Sequence, residues 1–254
     1  MSKIVVIGGT GLIGSKVVAK LTEHGHEAIP ASPNSGVNTL TGEGLAEVLA
    51  GADTVLDVSN SPSFADDDVM AFFTTATTNI IDAAKAAGVG HYVALSVVGA
   101  EIMVDSGYQR AKVAQENLIK TSGIPYSIVH ATQFFEFVKS IAGTATVGTE
   151  VRLSHALIQP IAAEDVATAV ARTTAGAPLN GTIEVAGPVE LGLDDLIRAG
   201  LAHAGDPRTV VTDPEATYFG QKLGERMLLP GADAVIFPTR FEEWLTTAAP
   251  APTK

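Results

Sequence analysis

Two hydrophobic rhythms alternate along this chain. Short runs rich in valine and isoleucine predict strands buried on both faces, and longer segments with apolar residues every three or four positions predict amphipathic helices. "KIVVIGG" (3–9) predicts a first strand. "LIGSKVVAKLTEHG" (12–25) predicts a helix with Ile13, Val17, Val18 and Leu21 on its apolar stripe and Gly25 closing it. "HEAIPAS" predicts a second strand, "GEGLAEVLAG" a short helix and "ADTVLDVSN" (52–60) a third strand. A long helix is expected over 66–88, where three leading aspartates suit the positive end of its dipole. "HYVALS" (91–96), residues 106–121 and "PYSIVHA" (125–131) then predict strand, helix and strand. Strands alternating with helices imply an α/β fold, a doubly wound parallel sheet covered on both faces.

Beyond residue 132 the rhythm loosens. "PIAAEDVATAVARTTAG" predicts a helix, "GTIEVAG" a strand, "LGLDDLIRAGLAHAG" a helix and "PTRFEEWLTTAA" a terminal helix with a Thr239…Glu242 capping box. The expected organisation is a dinucleotide-binding core over 1–150 and a smaller, irregular substrate-binding cap over 151–248, partly integrated with the core. A frayed tail is expected over 249–254.

Composition narrows the function. Of 254 residues, 46% are hydrophobic, ample for a core. Mean hydropathy is +0.27, yet no run of about 18 uncharged apolar residues predicts a membrane span. The first residues enter a strand without a basic leader or cleavage site, so a cytoplasmic protein is expected. With no cysteine, disulfides, thiolate catalysis and cysteine-based zinc sites are excluded. Only His24 and His26 stand close among the six histidines, in a predicted turn, and no metal is expected. A net charge of −12 without a basic run disfavours nucleic acid and anionic membranes. The expected partner is a small-molecule substrate, and the expected state a monomer or homodimer.

"IGGTGLIG" places Gly8, Gly11 and Gly14 at spacing G-x-x-G-x-x-G, between a predicted strand and a predicted helix. There glycine allows a tight turn, close backbone approach to a pyrophosphate and close helix–strand packing. Thr10, Gly11, Leu12 and Ile13 would then border the phosphates at the helix N-terminus. The alternative is a tight β–α turn without a ligand. "IPASPNS", at the end of the second strand, has no acid to hold ribose hydroxyls, and Ser32, Asn34 and Ser35 could donate to a 2′-phosphate. NADP is therefore the expected cofactor, with NAD possible. No arginine or lysine lies in that stretch.

Ligands of such sheets bind outside the carboxyl ends of the strands. Ser59 and Asn60, Ser96, and Thr132 with Gln133 and Phe134 are expected there. The helix after strand four begins "SGYQRAKVAQE" (106–116), with Ser106 and Gln109 spaced as a capping box. Tyr108 and Lys112, one turn apart, share a face. A free tyrosine has a pKa of about 10, and a nearby cation and the helix N-terminus would lower it toward the range useful for acid–base catalysis. Ser96 could hold the substrate oxygen beside the phenol. The alternative is a tyrosine and a lysine on a solvated helix face. Phe134, Phe135, Phe137, Tyr218 and Phe219 could line an apolar substrate pocket or belong to the core.

The glycine motif, Ser96 and the Tyr108-x-x-x-Lys112 pair resemble the short-chain dehydrogenase/reductase superfamily. "NIIDAAKAAGVGHYVALSVVGA", "IPYSIVHATQFFEF" and "IQPIAAEDVATAVA" resemble its atypical, NmrA-like branch. The resemblance covers most of residues 3–188. It implies a Rossmann-type fold with a small irregular C-terminal substrate-binding region, a nicotinamide cofactor, Tyr108 as general acid/base and Lys112 bound to the nicotinamide ribose. Asn79 reads as a helix residue rather than an active-site asparagine, and His130, where relatives often carry arginine, has no assigned role. The leading expectation is an NAD(P)H-dependent oxidoreductase passing hydride between nicotinamide and a small carbonyl or alcohol substrate. Its rival is a dinucleotide-binding redox sensor acting through a protein partner. A nucleotide-sugar epimerase is weaker, because the arginines after residue 140 are not clustered.

Overall fold

In the computed structural model, which describes residues 1–247, the alternating pattern folds into a seven-stranded parallel sheet with helices on both faces. Strand β1 (Lys3–Ile7) leads through α1 (Leu12–Glu23) to β2 (Glu27–Ala31), and α2 (Leu45–Leu49) precedes β3 (Thr54–Asp57). Then come α3 (Asp66–Ala87), β4 (His91–Val97), α4 (Gly107–Thr121) and β5 (Tyr126–Ala131). The sheet runs β2, β1, β3, β4, β5, then Gly181–Ala186, and ends on Val235–Ile236. Because β1 has β2 on one side and β3 on the other, the winding reverses beside it, and a ligand crevice opens at that point.

Strand β1 shows why short apolar runs predict buried strands. Ile4 and Val6 face a core built with Ile13, Val17 and Leu21 of α1 and with Val166 and Val170 of a later helix, Ala163–Ala175. Val5 and Ile7 face the opposite core, with Leu45, Leu49, Ile80 and Ile119. Pro30 fits in β2 because β2 is an edge strand, where a missing N–H leaves no ladder bond unmade.

The second half of the chain divides between two tasks. The helix Ala163–Ala175 and strands Gly181–Ala186 and Val235–Ile236 complete the main sheet and its cover. The remaining elements pack as a lobe around Phe135, Val138, Leu193, Ile197 and Phe241. Its small sheets join Thr146–Val147, Glu150–Leu153 and Thr209–Thr212, and pair Leu157–Ile158 with Leu191–Gly192. A two-stranded hairpin, Thr217–Tyr218 with Gln221–Lys222, projects from the lobe.

Both expected capping boxes fail. Ser106 occupies the N-cap of α4 but makes no side-chain cap bond, and Gln109 Oε1 has no partner. The terminal helix begins at Phe241, so Thr239 lies outside the cap, and its N–H donates to Asp165 Oδ2 at 3.2 Å. The predicted tail, 249–254, falls outside the described residues. No described helix is long and apolar enough to cross a membrane.

Candidate dinucleotide and active site

The carboxyl ends of β1, β3, β4 and β5 open into one cavity of about 770 Å³. At one end its wall is backbone. The chain leaves β1 through Gly8, at φ 78°, where a Cβ would stand 2.9 Å from Ser59 Cα and the Val58 carbonyl oxygen. Gly14 lies so close to the turn that a Cβ would sit 2.2 Å from the Gly8 carbonyl oxygen. Gly14 therefore brings α1 against the strand and does not itself line the cavity. Gly11 is the N-cap of α1 without a side chain to offer, and the first turn carries no acid. Thr10, Gly11, Leu12 and Ile13 border the cavity there, where free helix N–H groups and the dipole suit a phosphate.

From the end of β2, Ser32, Pro33 and Val37–Leu40 continue the wall. Asn79, on α3, fixes this curve by donating to the carbonyl oxygens of Thr39 (2.8 Å) and Leu40 (3.1 Å). Asn34 does not border the cavity. It stands exposed on the 3-10 turn Pro33–Ser35, and Ser35 does not border the cavity either, so of the three expected donors only Ser32 lies on its wall.

Several buried polar atoms here have no protein partner: Ser32 Oγ, Gln109 Oε1, Thr132 Oγ1 and both amide atoms of Gln133. All four residues border the cavity. Unpaired buried polar atoms are rare and costly. Grouped along a cavity that starts at a glycine-rich helix N-terminus, they fit the hydroxyl, phosphate and amide groups of a nicotinamide dinucleotide.

Two buried networks hold the middle of the cavity. Asp57, at the end of β3, accepts from the Ser59 N–H (3.0 Å), Ser59 Oγ (2.6 Å), Gln115 Nε2 (2.9 Å) and the Tyr92 hydroxyl (3.3 Å). It thereby shapes the turn that presents Ser59 and Asn60. Gln115 in turn accepts from Lys112 Nζ, which also donates to the Leu95 carbonyl oxygen at 2.9 Å. The ammonium lies 4.4 Å from the centre of the Phe73 ring. Burial lowers the Lys112 pKa to about 8, against the pull of the Asp57 and Glu116 charges.

Glu116 anchors the second network. Its carboxylate accepts from Ser96 Oγ (2.6 Å), His130 Nε2 (2.8 Å) and Lys120 Nζ (3.0 Å). Burial alone would raise its pKa, but the His130 hydrogen bond and charge and the bonds from Ser96 and Lys120 hold it down at about 2. Ser96 borders the cavity as expected, yet its proton goes to Glu116 and not toward a substrate.

Tyr108 borders the same cavity and donates to Asn60 Oδ1 at 3.2 Å. It makes no hydrogen bond to Lys112. The Phe73 ring carries the ammonium and meets the Tyr108 ring edge-on at 5.9 Å. Burial pushes the phenol pKa up to about 12, opposite to the expected lowering, because no cation compensates its lost hydration.

Beyond Tyr108 the wall becomes aromatic. Phe134 and Tyr218 line it as expected, Phe137 and Phe219 join them, and Phe135 is instead core, packed on Phe241 and Trp244. Phe64 and Phe72 were missed, as were Asp57, Gln115 and Glu116. The available signals were a lone acid ending a buried strand and polar residues three and four positions after Lys112, on its own helical face. Elsewhere, His155 donates to Asp194 at 2.7 Å with Asp195 nearby, but Thr212 and Arg198 already occupy these carboxylates.

A doubly wound parallel sheet, a glycine turn at the switch point and unpaired polar atoms along the crevice define a dinucleotide-binding Rossmann protein. The chain belongs to the NAD(P)H-binding family, whose model matches residues 8–175, as the resemblance to atypical short-chain dehydrogenases/reductases implied. It is 26% identical over 147 residues to the photosystem II assembly factor Ycf39 of Cyanophora paradoxa, covering 52% of this chain and 46% of that relative. The chain thus spans about half the length of that curated relative. A nucleoside-diphosphate-sugar epimerase from Staphylococcus aureus superposes with a TM-score of 0.70 at 15% identity, over 96% of this chain and 99% of that one. The NADPH-dependent quinone oxidoreductase of Escherichia coli, complexed with NADPH, gives 0.64 at 22%, over 83% and 77%. These likenesses establish the fold, and the family establishes a nicotinamide cofactor.

Proposed function

We propose that the protein is an NADPH-dependent reductase of small carbonyl compounds, with Tyr108 as proton donor. The observation that carries this reading is the single cavity running from the glycine turn, past the Tyr108 hydroxyl, into an aromatic chamber. A bound nicotinamide supplies the hydride. The segment Gly8–Ile13 holds the pyrophosphate, with Ser59, Asn60 and Thr132 along the dinucleotide. Ser32 would hold the adenine-ribose end, where the absence of an acid in the β2 turn suits a 2′-phosphate. An ammonium has three donors, and Leu95 and Gln115 take two of those of Lys112. The third would be available to a nicotinamide ribose hydroxyl.

The phenol is protonated at neutral pH, as an ordinary tyrosine is, so Tyr108 has a proton to give as negative charge grows on the substrate oxygen, although burial makes it a weaker acid than a free phenol. The carbonyl carbon gains hydride, the oxygen gains the tyrosine proton, and an alcohol leaves. Tyrosine then recovers a proton from solvent. Gln133 and Phe134 flank the substrate, with Tyr218 from the lobe. Ser96 acts as a positioning residue, tying the end of β4 to Glu116 on α4.

The test is a carbonyl panel with NADPH and NADH, read at the nicotinamide absorbance band. Tyr108→Phe should reduce turnover by about 10²–10⁴ and leave cofactor affinity unchanged. Lys112→Ala should weaken cofactor binding as well. Lys112 lies against Phe73 and not the phenol, and that observation favours a second reading, a redox sensor. Cofactor binding without turnover of any carbonyl, or unchanged turnover in Tyr108→Phe, would promote the sensor.

A further inference from the structure

The tip of the Thr217–Lys222 hairpin holds the most unusual backbone near the cavity. Tyr218 pairs with Gln221, and the two residues between them, Phe219 and Gly220, have φ of 46° and 85°. Positive φ at both central positions defines a turn that favours Asn, Asp or Gly at the first. A phenylalanine there is a steric outlier. Such conformations persist where the surroundings or a function require them. Core packing supplies only part of the reason, since Phe219 rests against the lobe core yet stays half-buried. Its ring also borders the cavity, 6.3 Å from that of Phe64, which is itself 56% exposed.

These rings form an arc. Tyr218 meets Phe219 edge-on at 4.8 Å, Phe219 meets Phe64, and Phe64 meets Tyr108 at 5.7 Å. The stacked pair Phe134–Phe137, 5.0 Å apart, borders the same cavity. The hairpin is tied to the segment leading into α4, because the buried Gln221 side chain accepts from the Asp105 N–H at 3.0 Å. The hairpin that carries Phe219 and the helix start that carries Tyr108 therefore meet at one short segment, residues 105–108.

The lining also has little charge. Among the described residues no arginine, aspartate or glutamate borders the cavity, and its one ionisable cation, Lys112, is 3% exposed and already engaged. A charged substrate would lose hydration without gaining a partner. The orphaned Gln133 amide offers one directed polar contact to an otherwise apolar ligand.

We propose that Phe219 and Phe64 form an aromatic clamp over the Tyr108 hydroxyl that selects uncharged substrates whose carbonyl belongs to, or is attached to, a flat conjugated ring. This rests on the reductase reading for the word substrate, but the clamp itself is tested by binding. Flat rings gain stacking and edge contacts from such walls that a puckered saturated ring does not. The strain at Phe219 is retained because the ring, and not the turn, is what the site uses.

The experiment is calorimetry of 2-naphthol, which has no carbonyl to reduce, on the NADP⁺-loaded protein. Decahydro-2-naphthol and UDP-glucose serve as comparison ligands, and turnover of 2-naphthaldehyde is measured separately. Wild type should bind 2-naphthol and prefer it to the saturated alcohol, with no displacement by UDP-glucose. Phe219→Asn should weaken 2-naphthol binding about tenfold while melting at or above the wild-type temperature, because asparagine suits the turn. Phe64→Ala, at an exposed position, should weaken binding similarly without loss of fold. Failure of 2-naphthol to bind, unchanged binding in either variant, equal affinity for the saturated alcohol, or displacement by UDP-glucose would each overturn the clamp. Binding as expected without turnover of 2-naphthaldehyde keeps the clamp and removes the reductase reading.

Discussion

The two ends of the cavity are built by different means. The dinucleotide end is backbone: a turn through Gly8, the uncapped start of α1, and Gly14 drawn against the Gly8 carbonyl oxygen. All of it lies within residues 8–14. The other end, where we propose the substrate binds, is side chains brought from far apart, Phe64 after β3, Tyr108 on α4, Phe134 after β5 and Phe219 on the hairpin. A backbone site tolerates almost no added atom, because peptide groups cannot step aside. A side-chain site tolerates change and loses selectivity first.

Five substitutions put that contrast under pressure. The largest effect is expected at Gly14→Ala, whose Cβ would overlap backbone on both sides of the turn. It should cost roughly 3 kcal/mol of stability and abolish dinucleotide binding, as read by thermal melting and calorimetry. Gly11→Val should differ, since a Cβ there meets only the Gly8 carbonyl oxygen at 3.3 Å. That variant should fold and still fail to bind. A Gly14→Ala protein with wild-type melting and affinity would dissolve the distinction between the two ends.

The next largest effect concerns the support beneath the chamber. The folded pKa of Glu116 is about 2, below the ordinary 4.5, so the fold favours the charged form. The stability this supplies is complete above about pH 4.5 and is lost as pH falls toward 2, at most ~3 kcal/mol. Glu116→Gln should therefore flatten the acid limb of the stability curve between those values. Ser96→Ala should lower stability modestly and leave the KM for carbonyl substrate almost unchanged, because the Ser96 proton belongs to Glu116. A raised KM with unaltered stability would return Ser96 to the substrate.

The smallest effect tests cofactor choice at the backbone end. Ser32→Asp places a carboxylate where a 2′-phosphate would lie. NADPH affinity should fall about tenfold through repulsion, with NADH affinity little changed. Tighter NADH than NADPH binding by the wild-type protein would refute the NADP preference at once.

The first βαβ unit, the parallel sheet and the glycine turn were legible because they depend on local periodicity and on residues adjacent in sequence. "DDDVMAFF" and "KIVVIGG" announce their elements without reference to the rest of the chain. Ser106 and Gln109 had capping-box spacing, but spacing does not supply the hydrogen bond. Phe134, Phe135 and Phe137 illustrate the same limit. Sequence marked all three as apolar, and only packing sent Phe135 into the core and its neighbours to the cavity.

The sequence by itself determined the fold class, the alternation of strands and helices through β5, and the glycine turn after β1, because hydrophobic period and glycine stereochemistry act over a few residues. Tertiary structure decided what each polar side chain touches. Ser96 went to Glu116 and Lys112 to Gln115, Leu95 and Phe73, and Tyr108 went to Asn60 while the Lys112 cation stayed off its hydroxyl. A helical period fixes which residues share a face, but the groups opposite that face arrive from other strands. The partner of a polar side chain facing the cavity is therefore settled only when those strands are in place.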